Sequence, residues 1–181
     1  LFIIFSIHYR RFLERSCSAV TTGHLFDGGF QMDDMDEQKY CSLRLANQLC
    51  FPLYACSKEI TRAYKPFLDQ LDLTYTQYIT MMVLWEKKKV NVKMLGDSLF
   101  LDSGTLTPVL KKLESKGYIR RERSSQDERN LEVTITEEGV KLQEDALSIP
   151  KAMGSCMSLD KGEMKMLYDL LYKLIRNVRG H

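Results

Sequence analysis

No stretch of this sequence approaches the ~20 consecutive apolar residues that span a bilayer. The opening run Leu1-Phe2-Ile3-Ile4-Phe5 is short, and its positive charges, Arg10 and Arg11, follow it rather than precede it, the reverse of a secretory signal. A strong charge of one sign is also missing: 26 Lys and Arg stand against 24 Asp and Glu, a formal net charge of +2. Charge balance alone announces no nucleic-acid partner, so that case rests on where the charges sit. There is no Cys-x-x-Cys pair and no His-rich spacing, so neither a metal nor a cofactor is assigned. The cysteines Cys17, Cys41, Cys50, Cys56 and Cys156 are odd in number and read as free thiols of a reducing cytoplasm.

What is present suits one folded domain. The chain has 181 residues, and 44% hydrophobic against 28% charged content allows a core of useful size. The first methionine is Met32, and residues 1 to about 35 read as an upstream extension, poorly ordered and outside the fold. The domain organisation expected is therefore a disordered or non-native extension over 1–40 and a folded domain over 41–181.

Helical spacing of Leu49, Leu53, Ile60, Tyr64 and Phe67 predicts a long helix within 45–71. Proline is tolerated in a first turn and disruptive later. Pro52 therefore starts that helix close to Leu49, with Cys50 at its N-terminus, and Pro66 predicts a kink or an end. A second, mostly buried helix is expected over 76–86, closed by Lys87-Lys88-Lys89. A short helix over about 92–99 follows, then a turn with a capping residue at Leu101-Asp102-Ser103-Gly104, and a helix over 104–116 ended by Gly117. The period then changes to alternation, giving two strands at 118–123 and 131–135 joined by polar residues. Thr136 caps a helix running to about Ser148, where Pro150 interrupts, and an amphipathic helix covers about 159–178.

Helix, tight turn, helix and hairpin is the order of a winged helix-turn-helix. The fold class is mainly α with a small β-hairpin wing, the winged helix-turn-helix covering about 75–136. The second helix of the pair fits a major groove, and the hairpin reaches the backbone or the adjacent minor groove. With Leu106, Val109, Leu110 and Leu113 turned inward, that helix and its cap offer Asp102, Ser103, Thr105, Thr107, Lys111 and Lys112. Hydroxyls and lysines suit phosphate oxygens and base edges. The hairpin adds Arg120, Arg121, Arg123 and Arg129, with Asp127 placed two residues before Arg129 to orient its guanidinium. A solvated hairpin on an ordinary helical domain is the blander explanation of the arginines alone; their order after the helix pair favours DNA.

Cys50 at a helix N-terminus meets amides that favour negative charge. Tyr54, four residues on, shares its face, so its phenol can donate to sulfur. Tyr64 lies on nearly the same face but roughly 21 Å along a straight helix. It reaches a sulfur only across a two-fold axis, in an antiparallel pairing of two chains. Tyr75 can join from the same side. From the residues alone, a cysteine among leucines and aromatics is more often simply packed.

Several motifs carry a resemblance from about Leu45 to the C-terminus: Asn47-Gln48-Leu49-Cys50-Phe51, Tyr64-Lys65-Pro66, Leu73-Thr74-Tyr75-Thr76-Gln77-Tyr78, Leu84-Trp85-Glu86, residues 101–108 and Asp127-Glu128-Arg129. The chain resembles the MarR family and, within it, the organic-hydroperoxide-sensing repressors (OhrR). The resemblance implies a homodimer whose dimerisation region comes from N- and C-terminal helices, about 45–71 and 137–179. It implies a repressor of a double-stranded DNA operator in the cytoplasm, read by the helix at 104–116 with Arg129 at the wing tip. Cys50 would be oxidised by an organic hydroperoxide to a sulfenic acid, and the change would release DNA. Tyr54 of the same chain and Tyr64 and Tyr75 of the partner would bond the reduced sulfur. Cys156 lies near the place where some members carry a resolving cysteine. A regulator answering a small-molecule ligand or general redox stress is the alternative. An enzyme, namely a thiol peroxidase, is disfavoured by the lack of strand-helix alternation.

Overall fold

A computed structural model describes residues 40–123 and 131–180 of the chain. The expectations for residues 1–39, and those for Asp127 and Arg129, lie outside the described residues. The chain falls into two compact units that meet in sequence between Ile60 and Thr61. Among the described residues, no helix is long and apolar enough to cross a membrane.

In the first unit, two short 3-10 turns, Cys41–Leu43 and Leu45–Asn47, precede the start of helix α1, Cys50–Gln70, whose residues from Thr61 onward belong to the second unit. The Asn47 amide ties the turns together, donating to the Cys41 carbonyl at 2.8 Å. Pro52 stands third in α1, within the first turn, where its missing N–H costs no hydrogen bond. Pro66 does not end the helix. The helix continues to Gln70 because Leu68 is buried and Phe67 packs on the core, and that burial outweighs the lost backbone bond.

The second unit holds α2 (Tyr75–Lys87), β1 (Lys89–Asn91), α3 (Val92–Leu99), α4 (Ser103–Ser115), β2 (Ile119–Arg123), β3 (Leu131–Ile135), α5 (Glu137–Ala146), α6 (Ile149–Met157) and α7 (Lys161–Arg179). A capping box opens α2: Thr74 accepts from the Gln77 amide, and the Gln77 side chain accepts from the Thr74 amide. Asn91, Asp102, Thr136 and Asp160 cap α3, α4, α5 and α7 with their side chains. Pro150 opens α6 rather than merely interrupting its predecessor.

The sheet has three antiparallel strands in the order β1-β3-β2. The hairpin register pairs Ile119 with Ile135 and Arg123 with Leu131, and β1 adds a strand that sets Val90 opposite Val133. Leu84, Leu95, Leu106, Leu110, Leu113, Ile119 and Val133 are buried together, so α2, α3, α4 and the sheet share one core. Gly139 lets α5 come close to the hairpin: an added Cβ would stand 2.2 Å from the Tyr118 carbonyl oxygen. Trp85 secures the same junction, its indole N–H donating to the Gly139 carbonyl at 2.7 Å. This is the winged helix-turn-helix, α3 and α4 forming the helix pair and β2–β3 the wing.

Candidate nucleic-acid interface and thiol site

Helix α4 divides cleanly. Leu106, Leu110 and Leu113 are buried, while Ser103, Thr105, Thr107, Lys111 and Lys112 are exposed on the other side. Asp102 serves first as a cap. Its carboxylate accepts from the Thr105 amide at 2.8 Å and from the Thr105 hydroxyl at 3.0 Å. Those bonds, the backbone one foremost, hold the Asp102 carboxyl below its ordinary value. The Thr107 hydroxyl donates to the Ser103 carbonyl at 2.7 Å. Both threonine hydroxyls have thus placed their protons locally, and what they present outward is acceptor lone pairs. Lys111 and Lys112 supply the charge.

On the wing, Arg120 and Arg123 are exposed, but Arg121 is turned to α4. Its Nε and Nη2 donate to Glu114 Oε2 at 2.9 and 2.5 Å, and its backbone N–H donates to Glu114 Oε1 at 3.0 Å. One carboxylate therefore ties the wing's first strand to the helix at both backbone and side chain. The Arg121 bond is the main reason that the Glu114 carboxyl lies below its ordinary value. Of the hairpin arginines read from sequence as DNA contacts, this one is spent on position. Glu114 was missed; its signal was a carboxylate seven residues before an arginine across a tight turn.

Cys50 is the first residue of α1, a free and exposed thiol. Cys56 and Cys156 are also free and exposed, Cys156 in the last turn of α6, whereas Cys41 is disulfide-bonded, unlike the free thiol expected. Tyr54 is exposed, with the Lys58 ammonium 5.3 Å from its ring centroid.

Tyr64 and Tyr75 come together within the second unit, their ring centroids 5.0 Å apart. Tyr78, three residues beyond Tyr75 on the same face of α2, joins them 5.8 Å from Tyr64 and stands edge-on to Trp85 at 6.1 Å. Burial raises the pKa of all three phenols, and the neighbouring phenols add to the rise at Tyr64 and Tyr78. A phenol so shifted stays protonated at any physiological pH and so remains a hydrogen-bond donor. Tyr78 is the member that sequence reasoning left out of the group.

Among the described residues, no group of three or more His, Cys, Asp or Glu could hold a metal ion.

A family profile described as transcriptional regulator SarA/Rot matches residues 62–146. The organic hydroperoxide resistance transcriptional regulator of Bacillus subtilis is 47% identical over 145 residues, covering 78% of this chain and 97% of that one. Two structures of AbfR, a Staphylococcus epidermidis protein, are each 37% identical. The reduced form bound to DNA covers 76% of this chain and 97% of its own, with a TM-score of 0.64. The overoxidized form bound to DNA covers 77% and 98%, with a TM-score of 0.63. With its helix pair, braced wing and near full-length match to these regulators, the chain belongs to the MarR family of winged helix-turn-helix transcriptional regulators, on the branch of the organic hydroperoxide resistance regulators.

Proposed function

We propose that this protein is a cytoplasmic, homodimeric repressor that binds a double-stranded DNA operator when Cys50 is reduced and releases it when an organic hydroperoxide oxidises that thiol. The observation that carries the reading is the placement of Cys50, free and exposed at the first position of α1. The family's regulatory character supports it, as do the redox-state structures of AbfR on DNA.

In the chemical step, the Cys50 thiolate attacks one peroxide oxygen, the O–O bond breaks, and the alkoxide leaves as an alcohol after taking a proton. Sulfur is oxidised by two electrons to the sulfenic acid and the peroxide is reduced. Tyr54 of the same chain, and Tyr64 and Tyr75 of the second copy, are the phenols assigned to the reduced sulfur. Oxidation replaces an acceptor of their hydrogen bonds with a bulkier group. On the DNA side, Ser103, Thr105, Thr107, Lys111 and Lys112 of α4 approach the groove, Arg120 and Arg123 of the wing approach phosphates, and Arg121 holds the wing at its angle.

The apolar side of α7 supports a homodimer. No residue of that helix is buried, and Leu167, Leu170 and Leu174 are exposed.

The test is operator binding by the Cys50→Ser variant. It should bind as the reduced wild type does and should not let go when hydroperoxide is added; release from that variant refutes the assignment. Mass measurement after stoichiometric hydroperoxide, with and without a small thiol, separates a sulfenic acid, a mixed disulfide and a Cys50–Cys156 disulfide.

A second reading, ligand-controlled release, has its own observation. A shallow cleft of about 280 Å³ lies between α2 and the α5–α6 region, lined by Tyr78, Met82, Trp85, Gln143, Ala146 and Pro150. A small aromatic compound that releases DNA from the Cys50→Ser variant would favour it.

A further inference from the structure

Lys116 follows the last residue of α4, and its side chain turns away from solvent. It is only 22% exposed, and its ammonium lies 2.9 Å from Asp72 Oδ2. The same nitrogen also donates to the Asp72 backbone carbonyl. Two of its three donors thus hold one residue, once through a charge and once through the main chain.

Asp72 is at the centre of the turn joining α1 to α2. Its φ is 50°, in the left-handed region that few residues other than Gly and Asn adopt readily. The turn is closed by bonds from the Leu71 and Leu73 amides to the Leu68 carbonyl and from the Asp72 amide to the Asp69 carbonyl. Leu73 is buried, Thr74 begins the capping box, and Tyr75 comes next, its ring on that of Tyr64. Nothing between Asp72 and Tyr75 is slack: each residue is pinned by a backbone bond, a buried side chain or a cap.

We propose that Lys116 is a positioning residue that fastens the C-terminal end of α4 to the tyrosine-bearing turn, so that displacement of Tyr75 moves the DNA-facing helix. This inference rests on the assignment of Tyr75 to the sensing site. A lysine that served as a phosphate contact would extend into solvent. This one buries its stem and gives its charge to Asp72.

The experiment measures operator affinity across a salt series for reduced and hydroperoxide-treated full-length protein. The variants are Lys116→Met, Asp72→Asn, the two combined, and Lys116→Arg. Asparagine keeps the left-handed turn and the carbonyl acceptor while removing the charge. Each single loss should weaken reduced binding about threefold or more, and the double variant should be no worse than Lys116→Met, as for two members of one contact. The slope of log affinity against log salt should not change, and Lys116→Arg should restore binding. The ratio of reduced to oxidised affinity should shrink by a similar factor, with Cys50 oxidised to the same extent by mass.

Additive losses would overturn the clamp. So would a salt slope reduced by about one in Lys116→Met together with tighter binding by Asp72→Asn, the signature of a phosphate contact. If wild type itself keeps its DNA on oxidation, the sensing function fails, and the clamp is still decided by non-additivity and salt slope in the reduced protein.

Discussion

Helices α4 and α7 are both amphipathic, and the single chain treats them in opposite ways. In α4 the apolar face is finished: Leu106, Leu110 and Leu113 are at most 1% exposed. What remains outside is mainly the hydroxyls of Ser103, Thr105 and Thr107 and the ammoniums of Lys111 and Lys112, a surface suited to an anionic partner. In α7 the polar face is complete, with a capping box at Asp160 and Glu163 and an i,i+4 pair between Lys165 and Asp169. Its apolar face is not, because Leu167 is 43% and Leu170 56% exposed. On the dimeric reading proposed above, α4 meets nucleic acid and α7 meets the same face of a second copy. Burying apolar area stabilises by about 25 cal/mol per Å², so the α7 face has most to gain from a second copy of the chain.

The sharpest way to break this comparison is to alter the leucines of each helix in turn. Leu110→Ala should cost about 2–5 kcal/mol, since the site is closed on all sides and cannot collapse freely. Urea unfolding followed through Trp85, the sole tryptophan, reads it. A loss below about 1 kcal/mol would mean that α4 is not anchored through its leucines. The matching change on α7 is a charge rather than a cavity. Leu167→Glu with Leu170→Glu should raise the dimer dissociation constant by about a hundredfold or more, because two carboxylates from each chain would be buried unpaired. Sedimentation at micromolar protein checks it. A double variant that stays dimeric would move the interface elsewhere.

The local part of this architecture was legible in the sequence, and the contacts between distant elements were not. Helix α3 lies where periodicity put it, at Val92–Leu99, and α4 is displaced by one residue, because caps and apolar spacing are both local signals. The position of Cys50 followed from Pro52 in the same way. Strand β1 went unread: it is three residues long with only Val90 buried, and Lys87-Lys88-Lys89 looks like the charged end of a helix. Helix α6 was hidden because Pro150 reads equally as a stop or a start. The reading of Pro66 as an end of the helix weighed the lost backbone bond without the buried Leu68 two residues on. At the site, the exposed hydroxyls and lysines of α4 followed from its period. The pairing of Arg121 with Glu114 left a local signal that was not read, whereas that of Lys116 with Asp72 and of Tyr64 with Tyr78 depends on where the chain returns in space, which neither charge nor period reports.

The smallest expected effect separates an arginine that braces from one that binds. The Glu114 carboxyl is held below its ordinary value of 4.5, chiefly by the Arg121 guanidinium, with burial opposing and the Arg121 backbone N–H assisting. A depressed folded-state value means that the pair's stabilisation is complete above the unfolded value and is lost as pH falls through the folded one. Glu114→Gln keeps two polar atoms but cannot titrate. Since the Glu114 side chain is 36% exposed, water screens the pair and the variant should be less stable at neutral pH by only about 0.5–1 kcal/mol. The gap should close on acidification below pH 4.5, the wild type losing stability faster than the variant. Operator affinity should fall in Glu114→Gln with its salt slope unchanged, because the wing loses its anchor and no phosphate contact is removed. Parallel stability curves from neutral to acid pH would show that the carboxylate is not carrying the brace, and a reduced salt slope in Arg121→Met would return that guanidinium to the DNA.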